Sequence, residues 1–425
     1  MLDADLILTH AGELVIIADP AGDAMPRRGT TLAELHILRD GALAAKNGQV
    51  VWVGPMGQCH REVHLTAGGT EIDAHGRVVT PGLVDAHTHP VFAAPRAMEF
   101  ALRATGKTYQ EIAQEGGGII NSVARTRAAS FDDLYRLART VADCMLSLGT
   151  TTAEAKSGYG LNKNDEVKLL RVIKAINADH PIDWVPTALP AHEIPSEFKA
   201  QPDEYVTLIC EEILPAIAAE KLAEFNDVFF ETGVFNRAQS ERIQRRAQEL
   251  GLGLKFHADE LSDVGGAQLA AQMGAVSADH LVYISPAGIA ALAKSNTVAV
   301  MLPGTAYYLD LPKRPPVRQM VEAGVAIAVA TDCNPGSNMT ESLPLAMNQA
   351  CVLYKMSPAE ALVAATINGA WAIRRADRIG SLAVGKQCDL VVWDARDYRE
   401  LAYHYGVNLA TVVVKNGCQQ SFSRP

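Results

Sequence analysis

Pro81-Gly82-Leu83-Val84-Asp85-Ala86-His87-Thr88-His89 runs from a proline-glycine turn through a short apolar stretch into two histidines one residue apart. Residues i and i+2 of a strand point to the same side, so a strand here delivers both imidazoles to one face. Two imidazoles on one face can share a metal ion, and zinc, iron, nickel and manganese all accept imidazole nitrogen. Two ordinary histidines, one capping a turn, are the plain alternative for an isolated pair. Further histidines and an aspartate downstream weigh against it.

Seven more short apolar runs follow, at 150–154, 184–188, 228–231, 254–257, 277–280, 298–302 and 326–330, and helical stretches such as 131–148, 165–178 and 240–250 separate most of them. Eight strands alternating with helices predict an α/β fold, a (β/α)8 TIM barrel. An open doubly wound sheet has the same pattern. Polar residues at the strand ends favour the barrel: His87 and His89, Tyr159, His192, His257 and Glu260, His280, and Asp332. Barrel active sites occupy that face. Five of the twelve histidines lie there; the other seven carry no assigned role.

Outside this middle, both ends are β-prone. Leu6-Ile7-Leu8-Thr9, Leu14-Val15-Ile16-Ile17 and Val50-Val51-Trp52-Val53 lie near the turn dipeptides Asp40-Gly41 and Asn47-Gly48, and Asp389-Leu390-Val391-Val392-Trp393 and Thr411-Val412-Val413-Val414 precede Asn416-Gly417. The predicted organisation is a small β-sandwich domain built from residues 1–80 and 379–425, with the barrel over 81–378.

Composition narrows the function. With 425 residues, 48% hydrophobic and 20% charged, the chain is ordinary globular protein with room for a large core. A net charge of −10 disfavours nucleic-acid and anionic-membrane partners. Seven scattered cysteines without a Cys-x-x-Cys pair suit reduced thiols. The N-terminus lacks the basic start of a signal peptide, and no run reaches the ~18 apolar residues of a membrane span. A cytoplasmic enzyme with a small-molecule substrate is expected.

His257 closes an apolar strand and is the expected third metal ligand; Asp332, in Thr331-Asp332-Cys333-Asn334-Pro335-Gly336, is the expected fourth. Such a set leaves room for a water whose pKa a metal lowers, giving hydroxide near neutrality. Glu260, three residues after His257, can carry a proton from that water to a leaving nitrogen. His280 can orient the water or polarise the scissile carbonyl, and Asp332 can also accept a proton. Lys156 follows a strand, where related hydrolases can carboxylate a lysine to bridge two metals. The one-metal set is complete without it, so Lys156 is read as supporting.

The Pro-Gly-Leu-Val-Asp-x-His-Thr-His segment, His257, His280, Asp332 and the split β domain resemble the amidohydrolase superfamily. His87-Thr88-His89-Pro90-Val91-Phe92 with Arg96, Gly116-Gly117-Gly118-Ile119, Lys156-Ser157-Gly158-Tyr159-Gly160, Ala191-His192, Lys255-Phe256-His257-Ala258-Asp259-Glu260, Ala278-Asp279-His280-Leu281 and Thr331 to Ser337 resemble its imidazolonepropionase family over nearly the whole chain. The Lys-Ser-Gly-Tyr-Gly and Asn-Pro-Gly-Ser blocks are more specific than the His-x-His. The resemblance implies hydrolysis of 4-imidazolone-5-propanoate to N-formimidoyl-L-glutamate in histidine degradation, one zinc or iron ion on His87, His89, His257 and Asp332, and a homodimer. It also implies substrate contacts from Arg96, Tyr159, His192, Glu260, Asn334, Gly336 and Ser337.

The residue chemistry agrees. Arg96 can pair with a propanoate carboxylate, Tyr159 offers a hydroxyl beside glycines, and free backbone N–H groups at Gly336 and Ser337 would suit an anion. Two positions depart from the family's pattern: Cys333 stands where a larger apolar residue is expected, and Arg374-Arg375 replaces a small, glycine-containing helix end. The rivals are a cytosine- or guanine-type deaminase, a non-catalytic scaffold of the same fold, and a two-metal cyclic amidase with a modified Lys156. A deaminase would not need Arg96, and a scaffold would not need the full metal set.

Overall fold

A computed structural model describes residues 1–18, 24–107, 111 and 117–421. Gly116 of the glycine block lies outside the described residues. Five strands come first: β1 (Leu2–Val15), β2 (Ile37–Lys46), β3 (Gln49–Pro55), β4 (Val63–Asp73) and β5 (Val78–Pro81). Eight follow in the middle: β6 (Leu83–Asp85), β7 (Thr150–Lys156), β8 (Asp183–Ala191), β9 (Phe225–Phe230), β10 (Gly253–Ala258), β11 (Ser277–His280), β12 (Val298–Met301) and β13 (Ile327–Val329). The chain ends with β14 (Leu390–Trp393), β15 (Ala410–Lys415) and β16 (Cys418–Gln419).

β6 to β13 pair in sequence order, every neighbour parallel. The first and last meet just beyond their ends. The Asp332 N–H donates to His87 O at 2.9 Å, and the His89 N–H donates to Cys333 O at 2.9 Å. Below these, the Asp85 carboxylate accepts from the Thr331 N–H (3.1 Å) and hydroxyl (2.6 Å). The sheet closes on itself, which excludes the open doubly wound layout. Helices over Phe131–Ser147, Lys163–Asp179 and Arg237–Glu249 start where Ser130, Asn162 and Asn236 accept N-cap hydrogen bonds. They bury an apolar face against the barrel, as Leu134, Ala138, Val141 and Met145 do in the first.

β9 begins three residues before its apolar run. β9 starts at Phe225 rather than Val228, because Asn226 and Asp227 are fully buried strand residues. Asp227 is held by charge partners in the barrel interior, so its polarity does not end the strand.

The termini share one sheet, ordered β16-β15-β14-β5-β1-β2-β3 with β4 also on β1. The seam between the two ends is the antiparallel pair β5–β14, from Val78 opposite Trp393 to Pro81 opposite Leu390. Leu6, Leu8, Leu14, Leu43, Val79, Leu390, Val392 and Val414 give this sheet a core of its own. Asn47-Gly48 and Asn416-Gly417 each turn a hairpin with both residues at positive φ, as a type I′ turn requires. Asp40-Gly41 is not a turn. It lies inside β2 opposite Ala11, where an irregularity in the pairing bends the long first strands. Among the described residues no helix is long and apolar enough to cross a membrane.

Candidate active site

The barrel's C-terminal mouth collects the predicted residues. His87 and His89 follow β6 and face the same way, while Thr88 between them turns outward and donates to Glu154 O at 2.5 Å. Their Nε2 atoms are 3.3 Å apart, and Asp332 Oδ1 lies 3.6 and 3.5 Å from them. An ion roughly 2.0–2.1 Å from each of three atoms at tetrahedral angles demands spacings of this size. Overlapping triads of ligand atoms, each within 4.8 Å of one another, join His87 with His89 and Asp332, His87 with His257 and His280, and His89 with His192 and His257. His89 Nδ1, His257 Nδ1 and His280 Nε2 are buried without a hydrogen-bond partner. The His87 and His89 Nε2 atoms converging with Asp332 Oδ1 make a donor set that fits a divalent metal.

Local backbone conformation aims these groups. Asp279 and His280 are consecutive on β11, yet both serve the interior, because His280 has φ +73° and breaks the strand's alternation. Asp332 also sits in the left-handed region, at φ +53°, and Thr305 donates to its Oδ2 at 2.5 Å. His192 Nδ1 donates to Gly158 O at 3.0 Å, leaving Nε2 as the acceptor. Gly158 has φ +104°, and a Cβ there would stand 2.9 Å from that Nδ1. The Gly158 to Leu161 loop wraps the buried carboxylate of Glu166, which accepts three backbone N–H groups at 2.8–3.2 Å.

Burial lowers His87, His89 and His280 well below the ordinary histidine range and His192 to about 3, so these rings are neutral, as metal ligation requires. At His257 burial works the same way, but the Asp227 carboxylate outweighs it and holds the ring above its usual value. Burial pushes Glu260 up to about 8 and Asp332 up to about 6. Glu260 Oε1 lies 3.5 Å from His280 Nδ1.

A cavity of about 570 Å³ joins this cluster to most of the residues expected to contact substrate. Its walls include His89, Arg96, Tyr159, His192, Glu260, Asn334 and Ser337, together with Phe229, Tyr283 and Leu311. The Arg96 side chain is 5% exposed, reaches Glu99 Oε2 only at 3.4 Å, and has a buried Nε without a hydrogen-bond partner. Gly336 lies against it: a Cβ on Gly336 would fall 1.2 Å from Arg96 Nη2. The free N–H groups expected at Gly336 and Ser337 are not free. Both donate to Asn334 Oδ1 at 2.8 Å, so Asn334, itself part of the cavity wall, also shapes the turn, and the segment adds Ser337 Oγ and the space beside Gly336.

Glu154, Asp227, Lys255, Asp279 and Thr305 are unanticipated from sequence. The strands carry a signal for two of this set, a charged residue two positions before another inward-facing polar residue: Glu154-x-Lys156 and Lys255-x-His257. Lys156 is fully buried among carboxylates; burial alone would lower it, but Asp227 and Glu154 more than offset that and hold it charged. The two departures are local. Cys333 is buried where its backbone bridges Thr88, and Arg374, at φ +54° where a glycine would be easy, lies over the Phe225 ring while Arg375 pairs with Glu224.

Residues 78–419 match the Amidohydrolase family. Imidazolonepropionase of Symbiobacterium thermophilum is 47% identical over 98% of this chain and 97% of its own length. Imidazolonepropionase of Shouchella clausii is 46% identical over 97% and 92%. Among solved structures, a zinc-bound adenosine deaminase from Xanthomonas campestris superposes with TM-score 0.73 at 22% identity, covering 99% of this chain and 94% of that one. Escherichia coli guanine deaminase does so with TM-score 0.72 at 16% identity, covering 98% and 100%. At those identities the solved structures speak for the fold alone.

Proposed function

The chain belongs to the amidohydrolase family and, within it, to the imidazolonepropionases, and from that premise we propose how its residues open the ring of 4-imidazolone-5-propanoate to give N-formimidoyl-L-glutamate. The observation that carries the reading is a single cavity holding both a metal-competent His/Asp cluster and a buried guanidinium with an unsatisfied Nε. A nucleobase has no carboxylate for that guanidinium. A propanoate does.

His87, His89, His257 and Asp332 would hold one zinc or iron ion. When bound, such an ion polarises a carbonyl and acidifies a water. The rest falls to the chain. Arg96 receives the propanoate through charge-assisted hydrogen bonds, with Ser337 and Tyr159 beside it. His192 presents Nε2 as an acceptor toward the ring. Glu260, pushed up to about 8 by burial and so protonated at neutral pH, gives its proton to the ring nitrogen as the C–N bond breaks and takes one back from the hydroxyl that hydrolysis leaves on the former ring carbonyl carbon. His280, whose Nδ1 lies 3.5 Å from Glu260 Oε1, orients the attacking water beside it. Asp332 accepts hydrogen bonds from Thr305 and Ser337 that keep its Oδ1 toward the histidines.

The test is purified protein with fresh imidazolone propanoate and metal analysis of the same sample. Loss of ring absorbance with appearance of formimidoylglutamate, at one equivalent of metal, is the expected result. Deamination of a nucleobase with no turnover of the imidazolone would overturn the substrate, and two equivalents of metal would overturn the single-ion site. From the resemblance we further propose a homodimer, checked by light scattering, and from the scattered, unpaired cysteines a cytoplasmic location, checked by cell fractionation.

A further inference from the structure

Beneath the mouth, the barrel is filled with charge instead of the usual branched aliphatic layers. Glu154 and Lys156 of β7, Asp227 of β9, Lys255 of β10 and Asp279 of β11 are all fully buried. Lys156 stands at the junction. Its Nζ lies 2.6 Å from Asp227 Oδ2, 2.8 Å from Glu154 Oε2 and 3.7 Å from Asp279 Oδ2. Two of those oxygens are shared. Asp279 Oδ2 is also 2.6 Å from His87 Nδ1, and Asp227 Oδ2 is also 3.0 Å from His257 Nδ1, off the line of a hydrogen bond. The remaining Asp227 oxygen accepts from the His257 N–H at 3.1 Å and the Val228 N–H at 2.7 Å. One ammonium thus touches two carboxylate oxygens, each facing the Nδ1 of a different histidine on a different side of the barrel.

We propose that Lys156 is a positioning residue for the metal site, holding Asp279 and Asp227 so that they set the ring orientation and tautomer of His87 and His257. The inference rests on the metal-ligand assignment above. His87, donating from Nδ1 to Asp279, keeps Nε2 as a basic, correctly aimed ligand, and the Asp227 oxygen close to His257 Nδ1 favours the proton on that nitrogen, which leaves the His257 Nε2 for the metal. Without the ammonium, the two carboxylates share a dry interior with one fewer cation. Each can then lower its cost only by turning away or taking a proton. Either response lets the histidine rings rotate. The effect therefore reaches both ligands at once, although Lys156 touches neither.

The test uses full-length protein reconstituted with zinc and, for the spectrum, with cobalt(II). Lys156→Met keeps chain length and apolar bulk while removing the charge. The expected result is zinc release to a chelator about 10- to 100-fold faster, the range for lost outer-shell partners of a metal ligand, and a changed cobalt(II) absorption band. Thr187→Val is the comparison for mere packing loss. Its hydroxyl bonds Glu154 Oε1 at 2.5 Å in the same layer but faces neither histidine. It should lower the melting temperature and leave release unchanged. A folded Lys156→Met protein with wild-type release and spectrum overturns the proposal. Should Lys156→Met fail to fold, Lys156→Gln, which removes the charge and keeps a hydrogen-bond donor, is read in its place: faster release with a changed cobalt(II) band supports the proposal, and wild-type release and spectrum overturn it. Wild-type protein that takes up no zinc would instead overturn the metal assignment itself.

Discussion

The two poles of the cavity are built differently. At the metal pole the proposed ligands sit at barrel strand ends, and three of the four are braced from behind: His87 by Asp279, His257 by Asp227, and Asp332 by Thr305 and its closing hydrogen bond to His87 O. At the carboxylate pole Arg96 stands in a loop just before the short helix Ala97–Ala104. Its one side-chain bond is long, and the space around it is kept open by the absence of a side chain on Gly336. The first pole needs positions fixed to fractions of an ångström before substrate arrives. The second needs an unsatisfied charge that a substrate completes. Chemistry rests on the scaffold and specificity on the loops, a division that substitutions at either pole can break.

The largest effect belongs to the metal pole. Asp332→Ala removes a proposed ligand, and activity should fall by roughly 10³-fold or more, in line with the loss of a group that acts as part of a unit. Metal content on the same sample separates lost binding from lost chemistry, and a variant retaining both metal and rate would remove Asp332 from the site. Glu260→Gln comes next. Losing the proton carrier should lower kcat by about 10²- to 10⁴-fold with the metal retained. Because burial pushes Glu260 up to about 8 and the protonated form is the donor, wild-type kcat/KM should fall as pH rises through that value. The glutamine variant, with nothing to titrate, should lose that alkaline limb. Persistence of the limb would assign it to another group.

The same division explains what the sequence discloses. The eight apolar runs mark the eight barrel strands, and the 277–280 run coincides with β11, because a buried parallel strand reads as a short apolar stretch between turns. Asp227 defeats that rule. A charged residue inside a strand looks like the strand's beginning unless its partners are known, and those partners lie on β7 and β10. The mouth residues are legible because each stands where a strand ends. Their outer supports are not, since Asp279 and Thr305 meet His87 and Asp332 through contacts between residues distant in the chain that only the folded barrel creates. Asn334 shows a related failure: its neighbours' N–H groups look available along the chain, and the fold spends them on its own side chain.

At the carboxylate pole the effects should be smaller and fall on KM. Arg96→Ala removes charged hydrogen bonds worth ~1.5–3 kcal/mol, so KM for the imidazolone should rise about 10- to 150-fold with kcat changed far less. Unchanged Michaelis behaviour would take Arg96 out of the pocket. Gly336→Ala should approach the same value by another route, since its Cβ and the guanidinium compete for one place. If Arg96 is already absent, the Gly336 substitution should add little, and the double variant measures that dependence directly.

Glu99 tests the poles at their smallest scale. Its carboxylate accepts from Arg96 Nη1 at 3.4 Å, the Gly118 N–H at 3.2 Å and Asn121 Nδ2 at 3.1 Å, tying the arginine to the start of the helix Ile119–Ala128. Glu99→Gln keeps the shape and removes the charge. The guanidinium then loses a competitor for the substrate carboxylate and a tether at the same time. Loss of the tether costs order in a long side chain, roughly 1 kcal/mol, and the competing contact is too long to offset it. A rise in KM of about 2- to 10-fold is expected, with metal content and the cobalt(II) spectrum unchanged. A fall in KM would show that Glu99 restrains Arg96 rather than positions it. A change in metal retention would break the comparison itself, because the loop pole would then be communicating with the strand ends.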